Sequence, residues 1–135
     1  MDCIFCKIVA GEIPSHKIYE DQDVLAFLDI SPVHPGHALV IPKKHFDNLE
    51  EIDEASLAKV MNVVKKIGVA LKAGLGYEGY NVQLNNDPVA GRIVPHLHFH
   101  LIPRLKDDGL RLWPQGKYEP GQAEEVAEKI KKAIK

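Results

Sequence analysis

The stretch from Ala90 to Arg104 has the sequence AGRIVPHLHFHLIPR, and at its centre histidine alternates with an apolar residue. Because side chains of a β-strand point to opposite faces in turn, this alternation predicts a strand with His96, His98 and His100 on one face and apolar residues buried on the other. The chain has seven histidines, and three of them fall in this short stretch. The stretch therefore predicts a half-buried strand that also carries a functional site.

Several explanations of the clustered histidines compete. A purification tag lies at a terminus and is not interleaved with Leu and Phe. A merely solvated sheet face seldom uses histidine. A metal ion bound by the three histidines alone stays open, because histidines at i and i+2 of a strand can share one ion. The remaining explanation is a site for phosphoryl transfer, which the rest of the chain has to support.

Length and composition limit the functional classes. At 135 residues the chain is long enough for one domain, 1–135, with a single core. The formal net charge is −2, so no basic excess indicates a nucleic-acid partner. No apolar run approaches the ~18 residues of a membrane span, and the N-terminus lacks a signal-peptide pattern. We therefore expect a cytoplasmic protein without nucleic-acid or membrane partners.

Hydrophobic periodicity predicts an α+β fold with an antiparallel sheet, because strands follow one another as hairpins and the helices stand apart. Asp53 is the predicted N-cap of the long helix and Gly74 its predicted end. In the last predicted helix, acidic residues lie near the N-terminal end and lysines near the C-terminal end, which stabilises the helix dipole. The predicted elements are helices at 3–10, 54–72 and 122–135 and strands at 17–20, 24–30, 38–41, 80–84 and the histidine stretch.

The two cysteines form a C-x-x-C motif at Cys3 and Cys6. In a reducing compartment this motif indicates metal or redox chemistry before a structural disulfide. It supplies half of a zinc site and needs two further ligands. The candidates are the seven histidines of the chain: His16, His34, His37, His45 and the three of the histidine stretch. A thioredoxin-like redox pair is the alternative, but no parallel βαβ pattern surrounds the cysteines.

Three other positions could contact a ligand. Gly91 stands at the start of the histidine stretch, where the absence of a side chain lets the backbone approach a ligand closely. Asn85, in the loop before it, could donate an amide N–H or serve only the turn. Asp29 ends an apolar strand, and its carboxylate could cap that strand end or accept two sugar hydroxyls.

Taken together, these motifs resemble the histidine triad family. Residues 96–102 match its signature His-φ-His-φ-His-φ-φ, where φ is apolar. The chain is most similar to the branch that hydrolyses nucleoside phosphoramidates and related nucleotides, and Trp113-Pro114 also resembles that branch. The similarity extends through residues 3–8, 26–32, 36–37, 39–45, the loop at Asn85 and residues 102–104.

The resemblance implies an architecture and a cofactor. It implies a five-stranded antiparallel sheet with two main helices, and a homodimer in which two such sheets join into one of ten strands. It also implies a structural zinc ion. By matching, the zinc ligands here are Cys3, Cys6, His45 and His96.

The resemblance further implies a nucleophilic mechanism. His98 matches the residue that attacks the α-phosphorus and forms a nucleotidyl-histidine, which water then hydrolyses. His100 matches the residue that contacts the phosphate, and His37 an orienting or proton-relay residue. Asp29 matches the carboxylate that takes both ribose hydroxyls. Six apolar residues match those that surround the base in the family: Ile4, Phe5, Ile8, Phe27, Leu28 and Ile30.

Two positions depart from the family pattern. Arg92 and Ile93 stand where the family usually has Gln and then Ser. Isoleucine cannot supply the serine hydroxyl that helps to bind the phosphate and leaving group, whereas Arg92 adds a full charge. We therefore hypothesise a shift from an amine leaving group toward a phosphate-bearing one, as in a dinucleoside polyphosphate.

The predicted function is hydrolysis at the α-phosphate of a purine nucleoside phosphoramidate or a related nucleotide. A dinucleoside polyphosphate hydrolase or a nucleotidyltransferase of the same fold is the alternative within enzymes. A nucleotide-binding module that acts through a protein partner is the alternative outside them. Turnover separates these classes, because only the enzymes release product.

Overall fold

An antiparallel sheet forms the centre of the molecule in the computed structural model, which describes residues 2–135. The predicted α+β fold is confirmed, whereas the predicted domain of 1–135 begins at Met1, which lies outside the described residues. In that range the sheet has five strands in the order β1-β2-β3-β5-β4, so β5 is internal and β4 is an edge. The strands are β1 (Lys17–Glu20), β2 (Val24–Leu28), β3 (Ala38–Pro42), β4 (Gly79–Leu84) and β5 (Phe99–Arg104), and the α-helices are α1 (Ile4–Val9), α2 (Glu54–Leu75) and α3 (Gln122–Ala133).

The histidine stretch enters the sheet later than predicted. Strand β5 begins at Phe99, which pairs with Val40 of β3 and Leu84 of β4. His96 lies in a bend after Pro95, because Leu97 turns its N–H to the carbonyl of Phe46 at 2.7 Å instead of to a strand of the sheet. The predicted strand from His96 is therefore wrong over its first residues.

The predicted alternation of faces nevertheless holds through the bend. Leu97, Phe99 and Leu101 are buried in the cluster that packs beneath α2. His98 and His100 consequently face the opposite side of the sheet. On that side Phe5 and Ile8 of α1 pack in a second buried cluster with apolar residues of β2 and β3. The sheet thus separates a structural layer under α2 from a layer under α1 that contains the histidines.

Helix α2 begins as predicted and ends later. The Asp53 carboxylate accepts the N–H of Ser56 at 3.0 Å and caps the first turn. The helix passes through Gly74 to Leu75, so the predicted end at Gly74 is wrong. Gly76 ends it instead, because this residue adopts a left-handed φ of 75° and donates its N–H to the carbonyl of Lys72.

We expect opposite effects from replacing these two glycines by alanine. Gly74→Ala should raise the free energy of unfolding by about 0.5–1 kcal/mol, because alanine is the better helix former and a Cβ there meets nothing within 4 Å. Gly76→Ala should lower it by about 1 kcal/mol, because a side chain strains the left-handed backbone. Urea unfolding of both variants measures the difference, and effects of equal sign would contradict the assigned helix end.

The C-terminal helix α3 stands apart from both layers. The predicted helix is confirmed over Gln122–Ala133, with Glu124 in its first turn and Lys131 in its last, but it buries no residue. Ile130, on its apolar face, is more than half exposed. Within residues 2–135 no helix combines the length and hydropathy needed to cross a bilayer.

Candidate active site

A cavity of about 640 Å³ lies between α1 and the sheet. Its walls are mainly apolar, and His98, His100 and Asp29 are among its few polar lining residues. A largely apolar cavity with a few convergent polar groups is typical of a small-molecule site. All the residues predicted to surround the base line it: Ile4, Phe5, Ile8, Phe27, Leu28 and Ile30.

The His98 ring is held in one tautomer by the bend that precedes it. Its Nδ1 lies 2.7 Å from the carbonyl oxygen of His96, which can only accept, so Nδ1 carries the proton. Nε2 is therefore the unprotonated nitrogen with a free lone pair. Burial lowers the pKa of His98 below its ordinary value, and the nearby Arg92 guanidinium acts in the same direction. The structure thus keeps a neutral imidazole at the wall of the cavity.

His37 and His100 form a directed hydrogen-bonded pair beside it. The N–H of Val33 donates to Nδ1 of His37 at 3.1 Å, so the proton of a neutral His37 is on Nε2. That Nε2–H donates to Nδ1 of His100 at 2.9 Å, which leaves His100 with its own proton on Nε2. Burial, with His98 and His37 nearby, lowers the pKa of His100 to about 4. His100 therefore offers the cavity a neutral N–H donor.

Asp29 has the first of the two roles that the sequence left open and lies where it could have the second. Its Oδ1 accepts the N–H of Ser31 at 2.9 Å, and this hydrogen bond stabilises a local turn. Its Oδ2 lies 3.6 Å from Nε2 of His37, and the residue lines the cavity. The carboxylate thus stabilises the strand end and still presents an acceptor oxygen to the ligand space.

A second cluster joins the N-terminal segment to the histidine stretch. Donor atoms of Cys3, Cys6, His45 and His96 all lie within 4.8 Å of one another. The S–N distances are 3.4 Å from Cys3 to His96, 3.6 Å from Cys6 to His96 and 3.3 Å from Cys6 to His45. A tetrahedral zinc ion with bonds of ~2.3 Å to sulfur and ~2.0 Å to nitrogen needs edges of about 3.5 Å. The spacing of the donor atoms therefore fits such an ion.

The outer hydrogen bonds of this cluster also suit a metal site. Nε2 of His96 lies 2.8 Å from the carbonyl of Pro42, and Nε2 of His45 lies 2.6 Å from Oδ1 of Asp47. Each acceptor holds the proton on Nε2 and leaves Nδ1 free to bind a cation, which is the usual arrangement around metal-bound histidine. Burial and the neighbouring Cys3 raise the pKa of the Cys6 thiol, a penalty that a bound cation would reverse. These four residues could hold a metal ion.

Because His96 belongs to this cluster, the three histidines of the stretch do not form one ligand group. His96 belongs to the first of two such groups, and His100 belongs to the second, with Asp29 and His37. His98 belongs to neither set. The ring with the free lone pair is thus the one outside both groups.

Three predicted ligand-binding residues lie outside the cavity. Asn85 and Gly91 line a separate groove of about 630 Å³ together with Trp113. The Arg92 guanidinium donates to the carbonyl of Asp47 at 3.2 Å. The structure therefore does not bring these three residues together with the histidines, although Arg92 stays close enough to influence His98.

Several lining residues were missed by the sequence reasoning. Ile13, Pro14 and Ser15 follow α1 and line the cavity, as does Ile93, which is 92% exposed. Residues 13–15 have no periodicity, so no pattern marks them, whereas Ile93 is marked only as the residue in place of the family's usual serine. Asp47 was also missed, although its position two residues after His45 was a usable signal, because metal-bound histidines commonly donate to a carboxylate.

Comparison with known proteins agrees with this geometry. The model of the HIT domain matches residues 10–107. The chain is 44% identical over 137 residues to an adenosine 5'-monophosphoramidase of Schizosaccharomyces pombe, with all of both chains covered. A relative of known activity thus aligns from end to end.

Solved structures give the same result. The crystal structure of a HIT family protein from Bacillus subtilis superposes with a TM-score of 0.93 at 41% identity and covers 100% of this chain and 99% of that one. A Zn-bound histidine triad family protein from Mycobacterium smegmatis superposes with a TM-score of 0.79 at 34% identity, covering 99% of each chain. On the sequence match, the shared fold and the extent of both, the chain belongs to the HIT domain family.

Proposed function

We propose that the protein hydrolyses nucleoside phosphoramidates and related nucleotides at the α-phosphate. The observation that carries the proposal is the hydrogen bond from Nδ1 of His98 to the carbonyl of His96, which leaves Nε2 free as a nucleophile beside an apolar cavity. The similarity to an adenosine 5'-monophosphoramidase supports this reaction. The direct test is release of AMP from adenosine 5'-phosphoramidate by the purified protein, followed by ³¹P NMR.

The proposed reaction has two displacement steps. Nε2 of His98 attacks the α-phosphorus and the P–N bond breaks, with its electron pair passing to the amine nitrogen, which takes a proton from solvent. Water then attacks the same phosphorus, the P–Nε2 bond returns its electron pair to the ring, and a proton is released. The Nδ1–H bond to the His96 carbonyl stabilises the positive charge of the phosphorylated ring.

The other polar groups would hold the substrate. The Nε2–H of His100 is suited to donate to a phosphoryl oxygen, and His37 fixes the tautomer that makes this possible. The free oxygen of Asp29 is suited to accept ribose hydroxyls. The apolar walls from α1 and β2 would enclose the base and exclude water.

We propose that the cluster of Cys3, Cys6, His45 and His96 holds a structural zinc ion. The match of the S–N distances to a tetrahedral site supports this, as does the Zn-bound neighbour. Such an ion would cross-link α1, which forms one wall of the cavity, to the residue that orients His98. Reduced thiols are required for this role, which supports a cytoplasmic location.

We also propose that the protein is a homodimer. Strand β4 is one of the two edges of the sheet within the described residues, and Val82 on it is 45% exposed. Pairing of two β4 edges about a two-fold axis would join the sheets into one of ten strands and cover these two edges. Light scattering should then give about twice the 15.1 kDa mass of the chain, and a monomer mass would contradict the proposal.

The activity should depend on pH through the neutral histidines. Since burial lowers the pKa values of His37, His98 and His100 below the ordinary 6.5, the acid-side midpoint of kcat/KM should lie below pH 6.5. The folded state binds fewer protons at these sites than the unfolded chain, so stability also declines below pH 6.5. Circular dichroism at each pH separates the two effects. Loss of half the activity near pH 7 in folded protein would contradict a depressed pKa.

A dinucleoside polyphosphate is the second candidate substrate, and Arg92 is the observation that favours it. Its charge lies near enough to His98 to affect that ring, although the side chain is held by Asp47. We expect Arg92→Gln to lower kcat/KM for diadenosine tetraphosphate about three- to tenfold relative to adenosine 5'-phosphoramidate, since only the former has a highly charged leaving group. Steady-state kinetics of both substrates measure the ratio, and an unchanged ratio would remove this candidate.

A further inference from the structure

The hydroxyl of Ser15 is a buried polar group without a partner. Within residues 2–135, Ser15 Oγ is the one buried side-chain nitrogen or oxygen atom for which no hydrogen bond is found. Buried hydroxyl groups are nearly always hydrogen-bonded in native proteins, because losing the hydrogen bonds of water is unfavourable. A functional role for the Ser15 hydroxyl would explain this exception.

The position of Ser15 provides one. The residue lines the cavity that contains His98 and His100, and it directly follows Ile13 and Pro14, which line the same cavity. Ile13 packs against the buried cluster around Phe5. Ser15 therefore belongs to the apolar part of the wall, where the proposed function accommodates the nucleobase.

The hydroxyl can also reach a ligand without losing a bond. A serine side chain moves between three staggered positions by rotation about one bond. Among the atoms of residues 2–135, no hydrogen-bond partner of Ser15 Oγ opposes this rotation. A hydroxyl both donates and accepts, so it can satisfy a ring nitrogen, a carbonyl oxygen or an amino group on the edge of a purine.

We propose that Ser15 is a specificity-determining residue whose hydroxyl binds the edge of the nucleobase. The proposal rests on the proposed function, since it requires a nucleotide in this cavity. It assigns to Ser15 the polar contact with the base, whereas Asp29 serves the ribose and His100 the phosphate. Such a contact favours a base with polar edge groups over an unsubstituted hydrophobic ring of the same size.

The test compares binding of AMP and of ribose 5-phosphate, which lacks the base, by isothermal titration calorimetry. Ser15→Ala should weaken AMP binding about five- to tenfold, as expected for one neutral hydrogen bond, and leave ribose 5-phosphate unchanged. Ser15→Thr retains a hydroxyl and should recover most of the AMP affinity. The melting temperature of ligand-free Ser15→Ala should equal or exceed that of the natural sequence, because the substitution removes an unpaired buried hydroxyl and no hydrogen bond to the protein.

Each other outcome has a distinct meaning. Equal AMP binding by Ser15→Ala and the natural protein would overturn the role of Ser15 and leave the proposed function standing. A parallel loss for ribose 5-phosphate would overturn it too, by showing a sugar contact. A lower melting temperature in the absence of ligand would show that the hydroxyl has a partner in the free protein, and so overturn it. Failure of the natural protein to bind AMP would instead refute the proposed function.

Discussion

His98→Ala should reduce kcat/KM for adenosine 5'-phosphoramidate by about 10³-fold or more while AMP still binds. The substitution removes the one ring of the histidine stretch whose lone pair neither belongs to the cysteine–histidine cluster nor accepts a hydrogen bond, and with it the proposed nucleophile. Steady-state kinetics and calorimetric titration with AMP measure the two properties on one preparation. A nucleotide-binding module without enzymatic function would show no turnover to lose.

The matched control is His16→Ala, which alters an exposed histidine outside the cavity. It should leave both kcat/KM and AMP affinity unchanged. Trapping of a labelled nucleotidyl-protein by acid quench in the natural sequence, and its absence in His98→Ala, would support covalent catalysis. Residual activity within about tenfold of the natural protein would exclude His98 as the nucleophile.

Removal of one ligand from the cysteine–histidine cluster should have the largest effect on stability. We expect His45→Ala to abolish stoichiometric zinc binding and to lower the melting temperature by about 10 °C or more, because a structural zinc ion contributes several kcal/mol to folding. His45 is the informative choice, since it lies on the loop after β3 and touches none of the residues proposed to react. Elemental analysis and differential scanning calorimetry measure both quantities.

Chelation gives an independent version of the same experiment. A strong chelator should lower the melting temperature of the natural protein toward that of His45→Ala and leave the variant unaffected. His16→Ala, which removes a histidine outside the cluster, should retain one zinc per chain. Natural protein that is isolated without zinc and melts at the same temperature as His45→Ala would refute a structural ion.

Much of the fold follows from local patterns in the sequence. The alternation around His98 predicts the two faces of the stretch because the side-chain period of extended backbone persists even where no neighbouring strand is paired. The N-cap at Asp53 is predictable because its interaction spans only three residues. The start of β5 is not predictable in this way, since it depends on Leu97 binding the carbonyl of Phe46, a residue 51 positions earlier.

In the candidate site, too, features set by local sequence are predictable, whereas those set by distant contacts are not. The donors of the metal cluster come from three separate segments, so spacing alone identifies the cysteines and leaves the histidine partners open. Arg92 was expected near the phosphates, but a backbone carbonyl that no motif marks holds its guanidinium elsewhere. Gly74 and Gly76 are both glycines near the end of the helical pattern, and no neighbouring residue indicates which of them ends the helix. The sequence therefore does not distinguish Gly74 from Gly76, which is the actual C-cap.

His96 contributes to two parts of the site through different atoms. Its ring belongs to the cysteine–histidine cluster, while its main-chain oxygen fixes the tautomer of His98. We therefore expect a disturbance at the cluster to reach the ring of His98, the proposed nucleophile, through a single residue. A residue that replaced His96 would have to supply a ligand to the cluster and also place its carbonyl oxygen against Nδ1 of residue 98.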